Sequence, residues 1–181
     1  MTIEFMRDLL SKDEKITVEY KICQHGIQED VYETVCSFSN RYGGYIIMGV
    51  EDDGTPIGIN PNIIKDMKKN FVNQLNNPDK MSPTLYLSIE DIVYEGMTLL
   101  WVYVPPTSTV EKCANRIYDR NEDGDMDITD SPIQLQNMYN RKSNTYAEHK
   151  IFPYVTTEDL RMNLMGKVRN LAKSKNPDHP W

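Results

Sequence analysis

The sequence predicts an α+β fold, a mixed and largely antiparallel sheet with helices packed on it. Three observations carry this. Residues 29–41 and 61–75 repeat apolar side chains at helical spacing. Residues 45–50 and 99–104 are unbroken apolar runs, as expected of strands buried on both faces. Glu95-Gly96 separates two strand patterns as a hairpin turn does.

In chain order, residues 2–10 form a short amphipathic helix with Ile3, Met6, Leu9 and Leu10 inward, and 11–15 a polar turn. Residues 16–22 alternate Ile16 and Val18 with Thr17 and Glu19, a strand with Glu19 and Lys21 on one face. After a loop at 23–27, a helix starts acidic at Glu29-Asp30, turns Val31, Val35 and Phe38 inward, and carries Arg41 at its carbonyl end. Gly43 closes it in the left-handed conformation and Gly44 lets the chain turn into the strand 45–50. Glu51-Asp52-Asp53-Gly54 ends that strand with turn chemistry, and 56–59 is extended. The next helix, 61–75, has Pro61 in its first turn and Ile63, Ile64, Met67, Phe71, Val72 and Leu75 at helical spacing. Residues 85–94 and 97–104 form the hairpin, which Pro105-Pro106 ends. A short strand at 115–118 enters an acidic loop, and another, 138–142, follows it. The last helix has Thr156 as N-cap with Asp159 three residues on. Leu160, Leu164, Val168 and Leu171 line one face of it and Arg161, Lys167, Arg169 and Lys173 another.

The length of 181 residues suits one domain with a small appendage, 1–155 and 156–181. Three cysteines at unrelated spacings need no disulfide framework, and no signal-like segment precedes Ile3, so a soluble cytoplasmic protein is expected. The net charge of −7 argues against wholesale phosphate binding, but the bases gather toward the end of the chain, from Arg141 onward.

Three constellations carry candidate chemistry. Glu14, Glu19, Lys21 and the acids Glu51 and Asp52 bring carboxylates toward one strand end, a donor set for Mg²⁺ or Mn²⁺ with a lysine to stabilise a phosphorane. An ordinary surface pair and a plain turn account for the same residues. Asp119, Asn121, Asp123, Asp125, Asp127 and Asp130 place oxygens at positions 1, 3, 5, 7, 9 and 12 of a calcium-type loop, with Gly124 at position 6. The final Asp resembles dockerin loops, and a structural Ca²⁺ is the expectation; a solvated acidic excursion is the plain alternative. Arg141, Lys142, Lys150, Arg161, Lys167, Arg169 and Lys173 interleave with Tyr139, Tyr146 and Tyr154, which suits phosphate contacts with base stacking as much as a solvated helix face.

Phe38, Asn40, Gly43, Gly44, Gly49, Val50, Glu51, Asp52, Asp53 and Gly54 together resemble the signature of the Schlafen-type AlbA-like domain, and the segment 139–145 resembles the family's aromatic-x-Arg motif. The resemblance implies a nucleic-acid-binding domain, DNA foremost, of a transcriptional regulator or helicase-like ATPase, with downstream domains linked beyond Trp181. It also implies an alternative, a metal-dependent endonuclease using Glu14, Glu19 and either Glu51 or Asp52, beside Lys21. A dimerisation or scaffold domain, a homodimer included, is the third expectation, for which the net negative charge argues.

Overall fold

The computed structural model describes residues 1–11, 16–143 and 162–175, the last helix with its side chains from 166 onward. Glu14, Arg161 and the segment 144–161, with Lys150, Tyr146, Tyr154 and the Thr156 cap, lie outside the described residues. The chain forms two compact units, Met1–Asn144 and Thr145–Trp181.

The first unit is built on a four-stranded sheet. Helix α1 (Ile3–Leu10) starts at Thr2, whose hydroxyl accepts from Phe5 N at 3.2 Å. Strand β1 (Val18–Lys21), helix α2 (Glu29–Asn40) and strand β2 (Gly44–Met48) make one crossover unit: β1 and β2 pair in parallel, Val18 opposite Tyr45. Helix α3 (Pro61–Leu75) is capped by the Asn60 side chain and followed by the short strand β3 (Met81–Ser82). Strands β4 (Ile89–Tyr94) and β5 (Met97–Val104) form the antiparallel hairpin, and the order β1-β2-β5-β4 puts both unbroken apolar runs in the interior. Strand β6 (Lys112–Cys113) pairs with β3, and β7 (Tyr118–Asn121) with β8 (Gly124–Asp127). Helix α4 (Pro132–Ser143) ends the first unit; α5 (Met162–Lys175) lies in the second.

Strand alternation divides the core. Val18, Tyr20, Ile47 and Leu99 meet Met6 and Leu9 of α1, whereas Ile46, Met48, Leu100 and Val102 meet Val35 and Phe38 of α2 and Phe71 and Leu75 of α3. The glycine pair between α2 and β2 has two different causes. Gly43 has φ +74°, the left-handed conformation that closes the helix; a Cβ on Gly44 would stand 2.7 Å from both the Phe38 ring and Thr17 O.

Four sequence expectations change. Ile3 is exposed, because an eight-residue helix reaches the sheet mainly through Met6 and Leu9. The first strand of the hairpin is shorter than 85–94, since Leu85 and Leu87 pack on the core from outside the ladder. The acidic loop is a β-hairpin, Asn121 opposite Gly124 with Glu122 and Asp123 at the tip. Residues 138–142 belong to a helix: Pro132 opens it, Leu135 N donates to Ser131 O at 3.0 Å, and Leu135 and Met138, three residues apart, drop onto Ile117 and Ile128.

Candidate functional site

Glu19 and Lys21 alternate with Tyr20 on β1, so their side chains leave on the α2 face of the sheet. There the Lys21 ammonium bridges Glu19 at 2.9 Å and Asp30 at 2.8 Å. The other Glu19 oxygen accepts from the Arg120 guanidinium, which arrives on β7. Arg120 also donates to Asp125 of β8 at 2.7 Å and lies 4.7 Å over the Phe38 ring. Asp125 in turn accepts from the hydroxyls of Thr34, at 2.5 Å, and Ser37 on α2. Burial pulls Lys21 down, but Asp30 and Glu19 outweigh it and hold the ammonium above its ordinary range. Burial likewise opposes the charge of Arg120, and Glu19 and Asp125 more than restore it. The result is a line of alternating charge tying the hairpin to α2 and β1, with the Arg120 side chain only 3% exposed.

A second polar cluster closes the carbonyl end of α2. Asn40 donates to Glu111 O and Tyr118 O, both at 2.9 Å, and accepts from Glu111 N at 2.8 Å, so the Asn of the sequence motif clamps α2 to the segment leading into β7. Lys142 of α4 donates to Ser39 O at 2.9 Å, Thr107 O at 3.0 Å and the Thr107 hydroxyl at 3.2 Å. Its burial lowers it to about 8, and burial raises the Glu111 carboxyl nearby. Arg141 donates to Asn40 O at 3.2 Å and to Asp119 at 3.1 Å, and Arg41 reaches the same Asp119 carboxylate at 3.3 Å. Arg141 and Lys142 thus spend hydrogen bonds on the protein itself.

Among the described residues, the candidate metal donors are spread over several partners. A Cβ on Gly54 would stand 2.8 Å from Leu10 O, so the turn that carries Glu51 and Asp52 runs close to the end of α1. In the hairpin, Asp119 serves two arginines, Asp125 serves Arg120 and two hydroxyls, and Asp127 serves Arg116 and Thr129. Asn121 accepts from Asp123 N at 2.9 Å, within the turn. Among the described residues, no three acids, histidines or cysteines stand together as a metal site. The described candidate donors are thus engaged by protein partners in this arrangement.

In the second unit, Lys167, Arg169, Lys173 and Lys175 of α5 are exposed, and residues 162–175 contain no acid. Sequence reasoning missed Arg120, Thr34 and Ser37. Arg120 stands at a non-ligand position of the calcium-type spacing, and its single positive charge within so acidic a run is the available signal.

The family model described as Schlafen, AlbA_2 matches residues 2–129. No curated protein matches the chain. Among solved structures, the chain is similar to the N-terminal domain of a RecG-related protein from Nitrosomonas europaea, at 27% identity and a TM-score of 0.46, covering 57% of this chain and 72% of that one. It is also similar to the DIP2311 protein from Corynebacterium diphtheriae, at 16% identity and a TM-score of 0.56. That match covers 97% of this chain, which spans 38% of the length of the Corynebacterium protein.

Proposed function

The chain belongs to the Schlafen AlbA_2 family, and from that premise we propose that it is a nucleic-acid-binding domain, DNA its foremost ligand, that works as part of a larger regulator or helicase-like ATPase. The observation that carries the binding reading is α5. Its four exposed cations, unopposed by any acid within the helix, are the arrangement that displaces counterions from a phosphate backbone. Affinity through such contacts is sequence-independent and falls steeply with salt.

Cleavage has less support than binding. A metal-dependent reaction at Glu19 would draw on carboxylate oxygens already engaged by Lys21 and Arg120. Fluorescence anisotropy with labelled single-stranded and duplex DNA, read across a salt series, tests the binding reading. Replacing Lys167, Arg169 and Lys173 together by Gln is expected to reduce affinity for all sequences alike and to flatten the salt slope by about 0.7–0.9 per lost phosphate contact. Absence of binding by the unaltered protein at low salt would return the domain to a scaffold role.

A further inference from the structure

In the first unit, two guanidiniums share one counter-charge. Arg41, at the end of α2, and Arg141, near the end of α4, both bind the Asp119 carboxylate, at 3.3 and 3.1 Å. Each keeps about a quarter of its side chain in solvent, 26% for Arg41 and 25% for Arg141. Their donors are underused: among the described residues, Arg41 hydrogen-bonds only Asp119, through one terminal nitrogen, and Arg141 likewise donates through one terminal nitrogen. Lys142 adds a third cation at the same helix end, so Arg41, Arg141 and Lys142 face the acids Asp119 and Glu111 in a chain that is otherwise strongly acidic. The negative pole of α2 does not oppose an incoming anion here, because Asn40 O and Ser39 O already accept from Arg141 and Lys142. Beside the pair, the Arg41 guanidinium lies 5.1 Å over the Tyr42 ring, which is 57% exposed.

We infer that Arg41 and Arg141 form a phosphate subsite for single-stranded nucleic acid, with an unpaired base stacking on the free face of Tyr42. The inference rests on the nucleic-acid reading above and assigns it a second contact, separate from α5. The chemistry is that of the arginine fork: two planar guanidiniums present several N–H donors to one phosphate, and the adjoining aromatic ring takes the base without regard to its identity. The Asp119 carboxylate is the resident counter-ion and competes with the phosphate, so removing its charge strengthens the site.

The test compares the unaltered protein with Arg41→Gln, Asp119→Asn and Tyr42→Ala. It uses a labelled thymidine oligonucleotide of about 20 residues, long enough to span a single-strand site, a duplex of equal length, and inorganic phosphate followed by calorimetry. Arg41→Gln is expected to weaken the single strand about tenfold, the scale of one charged hydrogen-bonded contact, and to abolish the phosphate heat. Asp119→Asn tightens both ligands, and Tyr42→Ala weakens the single strand without changing phosphate. Circular dichroism checks that each variant folds, and Arg41→Lys, which keeps the charge and loses the fork, replaces the glutamine variant if that one does not. Unchanged single-strand and phosphate binding in the Arg41 variants, or weaker binding in Asp119→Asn, overturns the inference. Oligonucleotide binding that survives Arg41→Gln and is lost in the α5 triple variant keeps the nucleic-acid reading and removes this subsite. Phosphate binding without oligonucleotide binding removes the nucleic-acid reading and leaves a site for a free phosphate compound, which also overturns the inference.

Discussion

Arg120 shows how one side chain can decide a local structure. It is buried over Phe38 and bridges Glu19 and Asp125. Arg120→Ala leaves Asp125 without its cation and Glu19 with Lys21 alone in a largely buried site, and the expected loss is about 3–5 kcal/mol in urea unfolding. Arg120→Met combined with Glu19→Leu and Asp125→Leu removes the stranded charges with it and is expected to recover much of that loss. Lys142 behaves differently, since burial lowers its ammonium from 10.5 to about 8. The unfolded chain therefore binds more protons than the folded one between about pH 8 and 10.5, and this group makes stability rise with pH across that window. The buried cysteines work in the opposite sense, as burial raises Cys23 to about 11 and Cys36 to about 12. The readout is accordingly a difference: urea titrations at about pH 7.5 and 9, either side of the lower edge of the Lys142 window, should show a gain for the unaltered protein relative to Lys142→Met. Parallel pH curves for the two proteins would count against the assignment.

At the scale of elements, the hairpin β7–β8 departs furthest from its sequence pattern. Its spacing is that of a 12-residue calcium loop. Folded, strand pairing turns alternate acids to opposite sides: Asp119 meets the arginines at the end of α2, while Asp125, opposite Arg120, reaches the hydroxyls of Thr34 and Ser37. Calcium would have to withdraw Asp119 from Arg41 and Arg141 and Asp125 from Arg120, each a charged contact worth more than a neutral hydrogen bond. Equal melting temperatures in millimolar Ca²⁺ and in chelator are the expected outcome. A rise of several degrees in Ca²⁺ would mean that the hairpin reopens into the loop its spacing describes.

For the whole molecule, charge is distributed by use. In the first unit Lys21, Arg120 and Lys142 serve as internal counter-charges or helix clamps and Arg141 keeps about a quarter of its side chain in solvent (25%), while the cations of α5 are exposed. A net charge of −7 is thus compatible with a local anion-binding surface, because long-range repulsion is screened over roughly 8–10 Å at ordinary ionic strength. No helix among the described residues is long and apolar enough to cross a membrane.

By itself the sequence determined what depends on neighbours along the chain. The spacing of Val31, Val35 and Phe38, the Gly43-Gly44 turn, Pro61 in the first turn of α3 and the Glu95-Gly96 hairpin all proved legible, because helical period, left-handed glycine and turn chemistry are local properties. The F-x-N, Gly-Gly and Gly-Val-acid pattern also carried the family, since it encodes the packing of α2 on β2. Only the tertiary structure decided which polar residues meet. Thr34 and Asp125 are 91 residues apart and Glu19 and Arg120 are 101 apart, and their pairing follows from the face each strand presents to α2. The same long-range packing made 138–142 a helix, because Leu135 and Met138 had a small core of Ile117 and Ile128 to fill. It also turned a run of acids with calcium spacing into a hairpin, since Arg41 and Arg141 arrive from two other elements as counter-charges beside Arg120 within the run.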